Sequence, residues 1–411
     1  MQTILISITS LLVGISILLL GHGLTNTLLT LRAATENYPD SQIGLIMSSY
    51  FVGYILGSLY CPGLINRIGH IRVFAVAAAI CGSIVIAQGL WVNPVFWILA
   101  RMIYGVCIVA FYFVVESWLN TRVDNTYRGR IFAVYMVVNL LAMAAGQQLL
   151  LVGDIRQLEL FAIAAALFSL SLVPIALTRM SQPEPVEKPK IDIKHLYEVS
   201  PIGFAGCFAA GLAGSAFWTM SPLFAYQAGL TTSAVAAFMS ATIIGGALLQ
   251  WPVGLYSDKH DRRKILAIIS FAATLFAIIS AFTNQFSMPI MLTVMFFYGG
   301  LYFAVYPLSV ALTNDQAKEG DFVNLTGSLL LVYGVGSTIG PLLAGLLIQL
   351  LGPYSLPSFY AVCWLLLGLF VIYHIKQSGA IPIDDSNNFT PMIRTSQAAL
   401  QTQSETESES V

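Results

Sequence analysis

The sequence predicts an all-α membrane protein of twelve transmembrane helices, arranged as two pseudo-symmetric six-helix bundles. Three observations carry this. The chain has 411 residues, 57% of them hydrophobic and only 9% charged, where a soluble globular domain carries about 25% charged residues. About twelve apolar segments can be marked off, each near the ~20 residues, at ~1.5 Å of rise, that cross a bilayer. The basic residues then fall almost wholly on one side of the membrane. Sixteen of the nineteen Lys and Arg residues occupy alternate connections beginning with the N-terminal side, two (Arg32 and Arg156) occupy the other side, and Arg101 lies within a span. Missing one span would move every later loop across, so the asymmetry also supports the count. Short basic loops stay in the cytoplasm, which places both termini inside.

The spans are expected near 4–30, 43–64, 73–91, 95–119, 131–152, 159–179, 200–226, 233–256, 265–283, 289–312, 323–350 and 354–376. The first has no basic flank and no small-residue cleavage site, so it is read as a retained helix and not a signal peptide. The longest internal polar stretch, 181–198, carries three prolines and mixed charges and reads as a cytoplasmic linker. The expected organisation is therefore an N-terminal bundle over 1–180, the linker, a C-terminal bundle over 199–378, and a polar disordered tail over 379–411. Five scattered cysteines (Cys61, Cys81, Cys107, Cys207 and Cys363) form no CxxC pair and match no histidine spacing. They read as buried apolar residues, with no metal site, disulfide or cofactor expected.

The halves repeat each other. Tyr104-Gly105 and Tyr112 in the fourth span recur as Tyr298-Gly299 and Tyr306 in the tenth, at an offset of 194. Gly146 and Gly340 share that offset, while Asn66-Arg67 and Asp258-Lys259 are 192 apart. Two similar bundles can rock about a midplane site and expose it to each side in turn.

The loop after the eighth span reads Gly254-x3-Asp258-Lys259-x2-Arg262-Arg263-Lys264, and that after the second reads Asn66-Arg67-Ile68-Gly69-His70-Ile71-Arg72. Both resemble the signature loop of the major facilitator superfamily. Arg101-x3-Gly105 resembles a second motif, from its drug/proton antiporter branches. Val114-Val115-Glu116-Ser117 with Arg128-Gly129-Arg130 is similar to a poorly characterised bacterial branch of permeases near the drug and metabolite transporters. There are departures: Asn66 replaces the usual first-half Asp, and Gly146-Gln147 replaces the Gly-Pro of antiporters.

The resemblance implies a secondary transporter, a permease that moves a small organic solute across the bacterial inner (plasma) membrane by alternating access. The cargo class is an amphipathic or anionic metabolite or drug, with protons as a coupling option. The alternative on the same fold is a transport-inactive receptor or scaffold. An enzyme is not expected, because one intramembrane Glu and one His on separate helices form no catalytic set. A GxxxxGK[ST] loop is absent, so ATP does not drive the protein directly. The implied partners are the small-molecule substrate and the lipid bilayer; a net charge of −1 suggests no nucleic acid, and a monomer is expected.

Ionisable groups inside a span are costly and point to function. At ~100° per residue, Arg101, Tyr104, Tyr112 and Glu116 share one face of the fourth span, and His22 and Asn26 share a face of the first. The superfamily arrangement lines its cavity with the first, fourth, seventh and tenth spans. That makes His22, Asn26, Arg101, Tyr104, Tyr112, Trp218, Tyr298 and Tyr302 candidate substrate contacts, with Gln147 and Gln250 beside them. Asn66, Arg67, Glu116, Arg128, Arg130, Asp258 and Lys259 form a candidate cytoplasmic gate, in which Asp258 latches onto the start of the fifth span. Packing or topogenic roles are the plain alternative for each of these residues.

Overall fold

The structure, a computed structural model, describes residues 2–122, 125–178, 190–282, 287–318 and 321–377, with side chains from residue 9 onward except 121–130 and 323. Linker residues 181–189, the 379–411 tail and the Arg128 and Arg130 side chains lie outside that description.

Among the described residues, twelve helices are long and apolar enough to cross a membrane. The first half comprises α1 (Gln2–Thr35), α2 (Asp40–Ile68), α3 (His70–Leu90), α4 (Pro94–Arg122), α5 (Asn125–Gln148) and α6 (Glu159–Ala176). A short helix, α7 (Ile193–Val199), sits in the linker region. The second half comprises α8 (Pro201–Gln227), α9 (Thr232–Asp258), α10 (Arg262–Ser280), α11 (Met288–Asn314), α12 (Phe322–Leu351) and α13 (Ser355–Gln377). The linker's prolines and charges hid α7, which Asp192 caps by accepting from the His195 backbone N–H at 2.9 Å. All five cysteines are buried, as expected.

Several helices overrun their expected spans because their connections are very short. Only Gly69 separates α2 from α3. Its φ of 90° is open to glycine, and its N–H closes α2 on Ile65 O at 2.8 Å. Asp261 opens α10 after a three-residue connection, accepting from Arg263 N at 3.0 Å while the Arg263 guanidinium grips the same carboxylate.

The duplication is written in the helix crossings. In the first half, α2 and α4 meet where Gly53 faces Met102 O and Gly105 faces Tyr50 O. In the second, α9 and α11 meet where Gly245 faces Phe296 O and Gly299 faces Thr242 O. Likewise Gly146 of α5 lies on Leu20 O of α1, and Gly340 of α12 lies on Leu212 O of α8. Each residue has its counterpart at the offset of 192 or 194 found in the sequence. These crossings bring backbones together where no side chain fits, the membrane's substitute for a hydrophobic driving force between helices.

A Cβ on Gly53 would stand 1.8 Å from Met102 O. Gly53→Ala is therefore expected to lower the folded yield and the thermal midpoint sharply, since overpacking costs about 1–3 kcal/mol even where side chains can give way. Gly82→Ala, whose Cβ would meet Ala165 O at 3.4 Å, is the matched control and should behave like the parent. Thermal unfolding of the detergent-solubilised variants, read by tryptophan fluorescence, makes the comparison.

Candidate functional site

Between the halves lies a cavity with about 760 Å³ of empty space, counted to its open mouth. Its two walls differ in chemistry. The first half contributes His22 and Asn26 from α1, Tyr50 and Phe51 from α2, Arg101 and Tyr112 from α4, and Met143 from α5. The second contributes Ala210, Trp218 and Thr219 from α8, Tyr302, Phe303 and Tyr306 from α11, and Tyr333 from α12. One wall carries a cation and polar groups, and the other is mainly aromatic. Among the described residues, no Asp or Glu lines it.

Arg101 is fully buried. Its Nη2 donates to Asn26 Oδ1 at 2.9 Å, and its guanidinium lies 4.8 Å from the Tyr50 ring centroid and 5.1 Å from that of Tyr104. Ring faces of this kind stabilise a desolvated cation by about 2 kcal/mol. They do not accept its remaining protons in ordinary hydrogen bonds: among the described residues, Arg101 Nε and Nη1 find no acceptor. Asn26 in turn reaches His22 Nε2 at 3.2 Å, and His22 Nδ1 meets Tyr104 Oη at 2.8 Å.

The facing wall is an aromatic array. Tyr302 lies 5.2 Å from Phe217 and 4.2 Å from Phe303 between ring centroids, Trp218 meets Phe303 edge-on at 5.8 Å, and Tyr306 meets Tyr333 edge-on at 4.9 Å. Such rings present flat, polarisable surface to a planar ligand.

Six of the ten substrate candidates line the cavity: His22, Asn26, Arg101, Tyr112, Trp218 and Tyr302. Tyr104, Gln147, Gln250 and Tyr298 stand behind the lining for a common reason, that each bonds a neighbouring side chain or helix backbone. Tyr104 holds His22; Gln147 accepts from Thr27 at 2.6 Å and donates to Gly23 O at 3.0 Å; Gln250 donates to Phe303 O at 3.1 Å; and Tyr298 accepts from Trp364 Nε1 at 3.3 Å. Sequence reasoning missed Tyr50, Phe51 and Tyr333, because α2 and α12 are not among the helices the resemblance assigns to the cavity. The Tyr50–Tyr54 pair, one turn apart in an apolar span, was the available signal.

A set of hydrogen bonds among the described residues joins the halves at the end of the bundle remote from the basic loops. Ser48 Oγ donates to Thr338 O, and its counterpart Ser240 Oγ donates to Ala144 O at 3.0 Å. Gln148 Nε2 bonds Ser240 Oγ at 2.6 Å, Thr30 Oγ1 bonds Thr219 O at 2.9 Å, and Gln227 Nε2 bonds Asp40 Oδ1 at 2.8 Å. Gly44 packs against Pro341 O, and Gly345 against Asp40 O. The serine pair obeys the offsets of 192 and 194, so the seal shares the two-fold of the helices.

Near the basic end, Arg262 is buried between Asp258, at 2.9 Å, and Asp315, at 2.8 Å. The sequence showed Arg262 only as one of the basic residues of this loop, whereas it ties α9 and α10 to the end of α11. These pairs place Asp258 within the second half; the side chains at the start of α5, its expected latch partner, lie outside the described residues. Glu116 is fully buried and accepts from Tyr135 Oη at 3.0 Å. Asn66, Arg67 and Lys259 take positions at this same end, in the last turns of α2 and just after α9.

Residues 11–330 match the sequence profile of the Major Facilitator Superfamily. The chain belongs to this superfamily. It is 29% identical over 341 residues, covering 82% of this chain and 88% of the relative, to the uncharacterized MFS-type transporter YcaD of Salmonella newport, and equally so to that of Salmonella typhi. In fold it is similar to the nucleoside transporter NupG, with a TM-score of 0.72 at 14% identity over 92% of this chain and 100% of the other. It is similar to the same degree to a bacterial homolog of the human lysosomal transporter Spinster in an inward-facing, occupied conformation (TM-score 0.72, 14% identity, 92% and 97% coverage). As a member of this superfamily, the chain is a multi-pass membrane transporter and not an enzyme.

Proposed function

We propose that the protein carries small amphipathic organic anions across the bacterial inner membrane by alternating access, with protons as the coupling ion. The observation that carries this reading is Arg101. A buried cation is expensive unless its donors are met. Here, among the described residues, two donor atoms remain unspent at a cavity with no acidic lining residue. A carboxylate satisfies them, and the aromatic wall opposite covers the apolar body of the same molecule. Glu116, Asp258, Asn66, Arg67, Arg128, Arg130 and Lys259 serve the gate at the basic end, which the positive-inside rule makes cytoplasmic.

Benzoate and phenylacetate are the probes, with benzamide and benzylamine as neutral and cationic analogues. A ligand of the native state raises the unfolding temperature by mass action. The carboxylates should stabilise purified protein and accumulate in proteoliposomes; equal stabilisation by benzamide would remove the basis of the anion reading. Binding without flux would favour a receptor. Sidedness follows from single cysteines: Lys190→Cys should react with an impermeant maleimide only from inside the cell, and Asn93→Cys only from outside. Both reacting from the same side contradicts the topology.

A further inference from the structure

We propose that Asn26 is a two-position amide switch that couples a proton on His22 to an anion on Arg101, so that the cavity takes up one proton with each anion. This rests on the anion reading above and adds to it the site and the means of proton coupling.

The argument is an accounting of donors. A guanidinium only donates, so the 2.9 Å bond from Arg101 Nη2 fixes Oδ1 of Asn26 as the acceptor on that side. The amide nitrogen of Asn26 must then face His22 Nε2, 3.2 Å away. An amide nitrogen is a donor, so Nε2 carries a lone pair. The ring proton of neutral His22 is thereby assigned to Nδ1, which donates to Tyr104 Oη at 2.8 Å.

Protonation changes one partner only. A proton arriving from water at the cavity mouth binds the Nε2 lone pair, and two donors then face each other across 3.2 Å. The small remedy is a half-turn of the Asn26 amide. Oδ1 then accepts from His22 Nε2–H, and the NH₂ group turns toward Arg101. Arg101 loses the acceptor it had, so a third donor joins the two already unspent. No other covalent bond is made or broken.

The charges facing His22 make the two events interdependent. Tyr104 meets the ring from α4, and Tyr50 from α2 with its ring centroid at 5.9 Å; Arg101 and Tyr112 of α4 and the hydroxyls of Thr219, Tyr302, Tyr306 and Tyr333 from the second half line the same cavity. Among the described residues, no carboxylate lines the cavity to balance a second cation. With the cavity empty of anions, Arg101 opposes protonation of His22. With an anion bound, the proton is welcome, and by linkage the proton strengthens the anion in equal measure. The cavity thus favours two states, neutral histidine without cargo or protonated histidine with an anion.

Two measurements test this. The first needs no ligand. In protein labelled with ¹⁵N-histidine, the His22 signals are those missing from His22→Gln, and at alkaline pH they should report the Nδ1–H tautomer. An Nε2–H tautomer overturns the proposal, because the amide would then already be reversed. The second follows benzoate binding to the full-length protein at about pH 5.5 and about pH 8, on either side of the ordinary histidine range. Affinity should be on the order of ten-fold higher at the lower pH, within the usual 5–150-fold span of couplings between sites. Benzoate binding should also draw protons from weakly buffered solution. His22→Gln should flatten the pH profile, and Asn26→Asp, which supplies Arg101 with its own carboxylate, should suppress binding at both pH values. Benzoate bound with the same affinity at both pH values overturns the coupling and leaves the anion site standing. Benzoate and phenylacetate bound at neither pH overturn the anion site and the coupling with it.

Discussion

Arg101→Gln is expected to abolish carboxylate binding while leaving the fold in place. Glutamine keeps a donor for Asn26 Oδ1 and removes the charge. Truncating one partner of a buried, hydrogen-bonded charge pair costs about 2–5 kcal/mol, which is on the order of 30-fold or more in affinity. The thermal midpoint of the unliganded variant should hold or rise, because a fully buried cation with two unmet donors is itself a burden on the folded state. A lowered midpoint together with unchanged benzoate affinity would show Arg101 to be a structural strut between α4 and α1. The two readings thus move the two observables in opposite directions, and titration calorimetry with thermal unfolding separates them.

The second large effect is expected at the seal. A Cβ on Gly44 would stand 2.4 Å from Pro341 O and 3.3 Å from Gly345 Cα. Gly44→Val therefore wedges α2 from α12 at the end remote from the basic loops. If the clash costs about 1–3 kcal/mol, the balance between closed and open states shifts by roughly 5–150-fold toward open. Ala210→Cys places a thiol in the cavity lining, and the five native thiols are buried. An impermeant maleimide added to the outer face should label Ala210→Cys faster in the Gly44→Val background, and flux should fall. Unchanged labelling would show that α2 and α12 do not close that end. Ser48→Ala and Ser240→Ala together should act in the same direction with a smaller effect, since a neutral hydrogen bond contributes about 1 kcal/mol net.

Much of this was legible in the sequence because membranes simplify the problem. Backbone polar groups must be satisfied within each span, so hydropathy and the charge count were enough for twelve helices and their pairing into halves. The offsets of 192 and 194, read from motifs such as Asn66 and Asp258, also govern contacts that the motifs do not include, such as Ser48 with Thr338 and Ser240 with Ala144. Cavity lining was legible only in part. Arg101, His22 and Asn26 share faces that a helical wheel can find, because a polar side chain in lipid has few places to turn. Tyrosine is equally at home against lipid, a neighbouring helix or a cavity, so a wheel could not separate Tyr302, which lines the cavity, from Tyr298, which holds Trp364. The role of Arg262 was hidden for a different reason. Its partner Asp315 lies more than fifty residues away in the chain, and local spacing carries no trace of a pair that α11 brings from a distance.

The composition of the seal sets how the protein responds to its surroundings. Among the described residues, the contacts that close it are hydroxyl, amide and carbonyl groups with bare glycine backbone; its one carboxylate, Asp40, is held by the neutral amide of Gln227 and not by a cation. Opening it separates no pair of opposite charges. The step is therefore close to electrically silent: ionic strength has no ion pair to screen there, and the membrane potential acts on the step only through whatever charge the cavity itself carries across. Voltage sensitivity in the transport cycle then reports the charge of the loaded and empty cavity, not the opening of the door.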